Sequence, residues 1–420
     1  MKISAPDDSL FIQPSYALHP GVDRLVAAAA QQVATRGLAA ASSRSVAQEA
    51  GVAASAISYK FGSIERLFFS VFEHGVRWSQ PWMDQRFEEI SALPKGAVGA
   101  ALALEHVIAG WTLENRWLAL FYQEGLAAMP GAEPVVAWTR AWRDFWLEVA
   151  SALSLRETDG RLMHLFFESE ALYNLSTWSP ALERAALREM CEHFAAVYLD
   201  GMVSASPTGA LERAEQMSGV LPAGAVPPAA EKIVEAAAEI VEANGLAGLT
   251  HRAVALKAGV TTGSVTHHFR TMESLIAGTI RGQVLAMQRD PAGAPQRPSA
   301  ALAPVLTADE LFDAMAAYLV TDRPWGPALR RRHLFLATLR RSDLVASAAV
   351  IRFAHGGTLR AILDELFEPP HGQRALYAGT LSRLGVASWF ASSADEAPRE
   401  SQAAILAEIK ARFLRKFSQA

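Results

Sequence analysis

Two short polar segments hold the side chains best suited to contact a polyanion. One runs from 54 to 60 and the other from 262 to 268. Their hydroxyl, ammonium and imidazole groups can donate hydrogen bonds to phosphates and base edges. A serine or threonine at a helix start is more often a cap, and Tyr59 or His267 could instead shield the helix edge. The candidate DNA contacts are Ser55, Ser58, Tyr59, Lys60, Thr262, Ser264, Thr266, His267 and His268.

The residues that could support catalysis or metal binding are few. His267 and His268 are adjacent, but neighbouring residues on a helix point about 100° apart and do not chelate, so we predict neither a metal nor a cofactor. The one cysteine, Cys191, excludes an intramolecular disulfide and a multi-cysteine zinc site. No nucleophile elbow, phosphate-cradling glycine loop or zinc-protease motif occurs. We therefore predict a binding protein and not an enzyme.

A third set of residues could form a pocket for an apolar ligand. Eight of the ten tryptophans lie before residue 180. Large rings at helical spacing usually form core, but this many in one region also suit a pocket for a flat apolar molecule. We predict that the first helical body is the main ligand sensor. The candidate pocket residues are Trp111, Trp117, Phe121, Trp138, Trp142, Phe145, Trp146, Phe166 and Tyr173.

Both polar segments follow the same pattern of apolar residues and glycine. Val46, Gly51 and Ile57 predict a short helix, a turn and the apolar edge of a second helix, which together are typical of a helix-turn-helix. The pattern returns 208 residues later, and residues 25–67 match residues 233–275 at 17 of 43 positions without a gap. The chain therefore contains an internal repeat.

The rest of the chain has the periodicity of helices. Apolar residues recur at intervals of three and four, and no stretch alternates as a strand does. Proline and glycine predict helix ends at Pro81 and at Asp159-Gly160, among other positions. We predict an all-α fold with two three-helix heads, each followed by a helical body. The predicted domains are an arm at 1–20, a helix-turn-helix domain at 21–75, a body at 76–202, a linker at 203–228, a second helix-turn-helix domain at 229–285 and a second body at 286–420.

Length and charge are compatible with this organisation. A chain of 420 residues allows two to four domains. The net charge is −4, with −7 in residues 1–210 and +3 in residues 211–420, which a small DNA-binding head on an acidic body can produce. No apolar run reaches the length of a membrane span, and the N-terminus lacks the features of a signal peptide. We expect a soluble, cytoplasmic protein that does not bind membranes.

The chain resembles the TetR family of bacterial repressors over about 45 residues in each half. The resemblance rests on a glycine-ended helix, a Ser/Thr-Xaa-Arg start, an Ala-Gly-Val turn and a short helix that ends in phenylalanine. It implies an N-terminal DNA-reading head and a C-terminal body that binds a ligand and dimerises. Both heads depart from the family pattern. Ser58 and Thr266 replace a usual tyrosine, and Ile64 and Met272 replace a usual phosphate-gripping lysine.

The resemblance also implies the partners and the reading residues. Arg44 and Arg252 match the family position that reaches a base edge, and arginine suits bidentate reading of guanine. Two units in one chain look like a covalent form of the family's dimer, with a double-stranded DNA operator and a small hydrophobic or aromatic effector as partners. Because the two reading segments differ, we predict two unlike half-sites, with repression relieved by the effector. Two alternatives remain: one head reads DNA and two chains form a homodimer, or the chain is a helical interaction scaffold that has lost DNA binding.

Overall fold

The computed structural model describes residues 23–199, 207–219, 226–244, 248–289, 307–320, 327–353, 356–367, 373–392 and 395–418. The predicted arm at 1–20 lies outside these residues, as do parts of the predicted linker. Every regular element in the described residues is a helix, which confirms the all-α prediction. None of the described helices is both long enough and apolar enough to cross a bilayer.

The first head has three short helices and the start of a fourth. Asp23 caps the first helix by accepting a hydrogen bond from the Leu25 amide at 2.8 Å, and Ser42 caps the second. Gly51, with a φ of 68°, forms the following turn in a left-handed conformation that glycine adopts without steric cost. This is the predicted helix-turn-helix. The helices are α1 (Arg24–Arg36), α2 (Ser43–Glu49), α3 (Ser55–Phe61) and α4 (Ile64–Ser91).

The predicted end of a helix at Pro81 is wrong, because α4 continues through it to Ser91. A proline inside a helix removes one hydrogen bond and costs about 3 kcal/mol. Pro81 is exposed, whereas Met83 and Ile90, which follow it in the same helix, are buried. Burial of each of these side chains contributes about 1.5–3 kcal/mol. The apolar face therefore outweighs the local cost of the proline.

The predicted break at Asp159-Gly160 is also wrong, since both residues lie in the first turn of a helix. The Asp159 carboxylate accepts a hydrogen bond from the Arg156 amide at 3.0 Å and so caps that turn. A Cβ on Gly160 would lie 2.9 Å from the Trp146 carbonyl oxygen, so the glycine allows two helices to pack closely. The helices that follow the first head are α5 (Ala97–Leu113), α6 (Arg116–Ala128), α7 (Glu133–Ala152), α8 (Glu157–Tyr173) and α9 (Pro180–Tyr198).

The predicted linker contains a helix, α10 (Ala210–Gly219). Glu189 of α9 holds its N-terminus, because the Glu189 carboxylate accepts hydrogen bonds from the Gly209 amide at 2.7 Å and from the Leu211 amide at 2.8 Å. A carboxylate at a helix N-terminus satisfies free amides and interacts favourably with the helix dipole. Residues 209–219 of the predicted linker are therefore part of the fold and not only a spacer.

The second head repeats the first with different capping residues. Thr250 and Thr261 cap its second and third helices, and Gly259, with a φ of 67°, forms the turn. Val254 and Val265 are fully buried in its core. The helices of this head are α11 (Glu231–Asn244), α12 (His251–Ala258), α13 (Thr262–His268) and α14 (Met272–Arg289). Six more helices follow in the part of the chain that the structure describes: α15 (Ala308–Leu319), α16 (Pro327–Leu339), α17 (Val345–Phe353), α18 (Gly357–Phe367), α19 (Arg374–Ser392) and α20 (Pro398–Ser418).

The chain divides into two compact units, and each unit takes in a segment of the other sequence half. Unit 1 comprises Met1–Leu175, Cys191–Ala205 and Val386–Lys416. Unit 2 comprises Ser176–Met190, Ser206–Gly385 and Phe417–Ala420. Nearly all of the last helix, α20, therefore belongs to the unit that contains the first head. Part of α9 belongs to the unit that contains the second head.

Candidate nucleic-acid interface

In the first head, the helix α3 has one buried residue and a polar exposed face. Ile57 is its buried residue, and α3 contacts α2 and α4. Ser55, Ser58, Tyr59 and Lys60 are all exposed, and 90% of the Tyr59 surface is accessible. A short helix with one buried edge and a polar exposed face has the shape of a helix that enters a DNA major groove.

The two arginines at the matching position of the repeat have the same setting. Arg44 is the second residue of α2 and Arg252 is the second residue of α12, and both are exposed. Each therefore lies at the N-terminal end of the helix that precedes the candidate reading helix. An exposed guanidinium there is available to a guanine edge or to a phosphate.

Lys60 already has a partner within its own head. Its Nζ donates to the Asp23 carboxylate at 2.7 Å, with 52% and 31% of the two side chains exposed. Burial raises the pKa of Asp23, whereas the hydrogen bonds from Lys60 and from the Leu25 amide lower it. Together the hydrogen bonds outweigh burial, so the pKa lies below its usual value. To contact a phosphate, Lys60 must give up or share this pair.

In the second head, the polar residues of α13 differ in their exposure and in their hydrogen bonds. Thr262, Thr266 and His267 are exposed, whereas Ser264 and His268 are half-buried. The Thr266 hydroxyl donates to the Thr262 carbonyl at 2.9 Å, so this donor is engaged within the helix. The cap of α13 is Thr261, which leaves the side chain of Thr262 outside the capping role.

The rings of the two adjacent histidines of α13 are steeply inclined to each other. Their ring centroids are 5.2 Å apart, and the ring planes cross at 75°. Among the described residues, no group of three or more His, Cys, Asp or Glu side chains is arranged to hold a metal ion. The rings instead present two imidazole groups at the C-terminal end of the candidate reading helix.

Two basic residues of the second head were missed by the sequence analysis. Arg270 is exposed and follows α13 by two residues, at the place where the first head has Gly62. Lys257 lies on α12, where the first head has an acidic residue, and pairs with Glu239 at 2.7 Å. The alignment of the repeat contained this signal, because it places Lys257 opposite Glu49 and Arg270 opposite Gly62.

The predicted pocket residues all lie in unit 1, where the rings on α7 and their ring neighbours form a packed aromatic cluster. Phe166 instead stacks on Phe194, with the ring centroids 4.6 Å apart. The Trp142 ring lies 4.9 Å from Trp111, 5.6 Å from Phe145 and 4.1 Å from Phe167, measured between centroids. Phe167 was not among the predicted residues. Eight of the nine candidates are buried, and Trp117 is half-buried. The buried candidates are Trp111, Phe121, Trp138, Trp142, Phe145, Trp146, Phe166 and Tyr173.

The aromatic cluster contains polar groups that an ordinary apolar core lacks. The indole N–H groups of Trp111, Trp138, Trp142 and Trp146 are buried and have no acceptor among the described residues. A buried unpaired donor costs about 1–3 kcal/mol. Nearby, the Tyr122 hydroxyl donates to the carboxylate of Glu168 at 2.7 Å, and both residues are fully buried. The cluster thus offers rings, several donors and one carboxylate.

Comparison with known proteins agrees with the geometry of the heads. The family model described as bacterial regulatory proteins, tetR family, matches residues 25–71 and residues 233–278. The matches cover the three short helices of each head and the start of the next helix. No curated protein matches the chain significantly. Both heads are therefore DNA-binding domains of the TetR family of transcriptional regulators, and the chain carries this TetR-like unit as a tandem duplication.

Proposed function

We propose that one chain acts as a pseudo-dimer whose two heads read two unlike half-sites of a DNA operator. Each head has an exposed arginine at the same position and an exposed reading helix, α3 or α13. The two reading helices differ at every position from 54 to 60 when compared with 262 to 268. A dimer of identical subunits reads a palindrome because its two reading helices are the same, whereas two different reading helices prefer different half-sites.

The observation that carries this proposal is the exchange of segments between the repeats. In unit 1, Arg412 of α20 donates to the Asp159 carboxylate and to the Tyr198 carbonyl, each at 2.8 Å. In unit 2, Arg352 of α17 donates to the Glu183 carboxylate at 3.4 Å. In both units a helix of one repeat packs on a helix of the other. Such contacts would do within one chain what a second subunit does in a dimer.

The proposed effector site is the aromatic cluster of unit 1. A small hydrophobic or aromatic molecule would replace some of the ring contacts and could accept hydrogen bonds from the buried indole N–H groups. Helix α4 connects this cluster to the first head, because Leu67 lies in the head and Phe72 stacks on Phe121 in the body at 4.5 Å. A ligand that prefers one arrangement of α4 would change operator affinity, and relief of repression is the family default.

A second arrangement is favoured by the Lys60–Asp23 pair. If this pair stays closed, the first head lacks its main basic residue at the end of α3, and the second head alone would bind DNA. Two chains would then meet on the operator to supply two active heads. The selected site would be a palindrome.

Operator selection tests both arrangements. The full chain is used to select sites from random duplex DNA, and selection is repeated with Arg44→Ala, Arg252→Ala and the control Arg140→Ala, which alters a surface arginine of the first body. We expect an unlike pair of half-sites, with each head variant relaxing a different half and losing about 1–3 kcal/mol of binding. A palindrome sensitive to only one variant supports the second arrangement. No enrichment at moderate salt contradicts DNA reading altogether.

The effector site is tested with 2-naphthol, a neutral flat aromatic molecule whose hydroxyl oxygen can accept a hydrogen bond from an indole N–H group. We expect it to quench tryptophan fluorescence, to lie among the rings of unit 1 in a co-crystal and to change operator affinity by about fivefold or more. Electron density for the probe only in unit 2 contradicts the assignment to the first body.

A further inference from the structure

A cleft within unit 2 brings three arginines around one carboxylate. Arg352 of α17, Arg360 of α18 and Arg383 of α19 line it together with Glu215 of α10. The cavity volume is about 10 Å³, close to the space that one water molecule needs. Arg352 and Arg383 are only 1% and 2% exposed. Because arginine keeps its charge when buried, the inner wall of the cleft is permanently cationic.

Two glycines keep backbone and guanidinium groups close together at this cleft. A Cβ on Gly356 would lie 2.9 Å from the Ala378 carbonyl oxygen, and a Cβ on Gly379 would lie 3.3 Å from Nη1 of Arg383. Larger residues at either position would crowd the wall that Arg383 forms. The cleft therefore depends on the absence of side chains at two of its lining positions.

The charges that line the cleft are mostly positive. Arg360 pairs with Glu215, Arg352 pairs with Glu183, and Arg383 donates to a backbone carbonyl at 3.2 Å. Among the described residues that line the cleft, Glu215 is the only carboxylate, against three guanidinium groups. Burial raises the pKa of Glu215, and the opposing effect of Arg360 does not cancel the increase. The ionised form of Glu215 is therefore poorly stabilised in this position.

We propose that the cleft binds the carboxylate or phosphate group of a small anionic ligand, which takes the place of the Glu215 carboxylate on Arg360. Both side chains of this pair are partly exposed, at 29% for Arg360 and 30% for Glu215, so the pair lies at the mouth and can open towards solvent. The anionic group of the ligand would take the position on Arg360 that the Glu215 carboxylate now holds. A guanidinium binds carboxylate and phosphate oxygens in the same bidentate manner. This site is separate from the aromatic cluster and does not depend on the proposed DNA reading.

Ligand binding there would act on α10. This helix is held at its N-terminus by Glu189 and along its length by the Glu215–Arg360 pair, and it contacts α17. Replacement of Glu215 by a ligand removes the second of these attachments. The ligand would thus loosen the helix that lies between the two repeats in the sequence.

The proposal is tested by isothermal titration of the full chain with sodium phosphate and, separately, with sodium acetate, at an ionic strength held constant with sodium chloride. The variants are Arg360→Gln, Glu215→Gln and the control Arg374→Gln. Arg374 lies on α19, as Arg383 does, and pairs with Asp364 at the surface, but it does not line the cleft. We expect Arg360→Gln to weaken binding about tenfold or more, because it removes a charge-assisted contact. Glu215→Gln should tighten binding about fivefold, because it removes the competing carboxylate.

A gain of affinity in Glu215→Gln cannot come from misfolding. The two variants together therefore distinguish the loss of a ligand contact from a loss of folded protein. Binding of acetate alone identifies a carboxylate ligand, and binding of phosphate alone identifies a phosphate ligand; both support the proposal. The proposal is overturned if neither anion binds. It is also overturned if Arg360→Gln, like the control Arg374→Gln, binds both anions as tightly as the unchanged chain does.

Discussion

The two helix-turn-helix heads share a framework and differ on the surface that DNA would meet. Both place glycine at the left-handed turn, at Gly51 and Gly259, with φ values of 68° and 67°. Both bury a valine in the second helix, at Val46 and Val254. The exposed faces of α3 and α13 share no residue at matching positions. The comparison indicates that the positions needed for folding stayed the same while the exposed positions of the two reading helices diverged.

The basic residues at the ends of the two reading helices also differ between the heads. In the first head, the one basic residue of the reading helix, Lys60, is paired with Asp23. In the second head, the reading helix ends in two histidines and Arg270 follows it. The heads therefore offer different sets of donors to phosphate, and we expect them to contribute unequally to affinity as well as to sequence preference.

The largest expected effect concerns the buried arginine that joins the repeats in each unit. Arg412→Ala should destabilise unit 1 by about 3–5 kcal/mol, because it leaves the Asp159 carboxylate without its buried partner. Arg352→Ala should destabilise unit 2 by less, since its Nη1 lies 3.4 Å from Glu183, whereas Nη1 of Arg412 lies 2.8 Å from Asp159. Hydrogen exchange of the two variants measures each unit separately. Equal protection in both units after Arg412→Ala would contradict a structural role for this pair.

The second prediction exchanges the reading surface. Replacing residues 54–60 by the sequence of residues 262–268 should turn a site with unlike halves into a near-palindrome. Binding to the original site should weaken by about 1–3 kcal/mol for each base pair no longer read. Operator selection with the exchanged chain measures this, and the reverse exchange is its control. An unchanged site would show that these helices do not determine sequence preference.

The third prediction uses acid to separate the two units. Burial, with a smaller effect from Arg143, lowers the pKa of His164 to about 3, and burial with a smaller effect from Lys416 lowers the pKa of His193 to about 3. Both histidines lie in unit 1. Because the unfolded state binds protons below the usual pKa of 6.5 and the folded state does not, stability falls as the pH drops below 6.5.

Each histidine should cost up to about 2 kcal/mol between pH 6.5 and pH 5. Urea unfolding at the two pH values, followed by tryptophan fluorescence, measures the loss, and His164→Leu should remove about half of it. A variant with the same pH dependence as the unchanged chain would show that His164 is not buried in its neutral form.

The smallest effect is expected from releasing Lys60. Asp23→Asn should strengthen DNA binding by less than about 1 kcal/mol, because an exposed ion pair is weak, and should steepen the dependence on salt by about one phosphate contact. The matched variant in the second head is Glu239→Gln, which releases Lys257 from its own exposed pair. If only Glu239→Gln changes affinity, the first head does not contact phosphate through Lys60.

The sequence was sufficient for the local structure of the heads. Glycine at a turn, serine and threonine at caps and an apolar edge are short-range signals, so both helix-turn-helix motifs could be predicted within a few residues. Proline and glycine misled the prediction where tertiary packing decides. Pro81 stays in α4 because the residues after it are buried, and Gly160 serves close packing within unit 1.

Long-range features could not be predicted in the same way. The number of aromatic residues predicted a cluster, but the sequence alone does not show that the indole N–H groups of its tryptophans lack acceptors. Nothing local indicates that α20 packs in unit 1, because this depends on contacts such as Arg412 with Asp159, which are 253 positions apart. The arginine cleft likewise combines residues from four helices, and one of these, α10, lies in a stretch whose composition predicts a linker.

The exchange of segments has a consequence for how such a regulator responds to its own abundance. A regulator that needs two subunits loses its paired form when it becomes dilute, so its occupancy of DNA falls steeply with copy number. In the proposed pseudo-dimer, the second head is tethered, and its effective concentration is set by the chain and not by expression. Occupancy would then vary in simple proportion to the number of molecules, and a few copies would suffice to control a site.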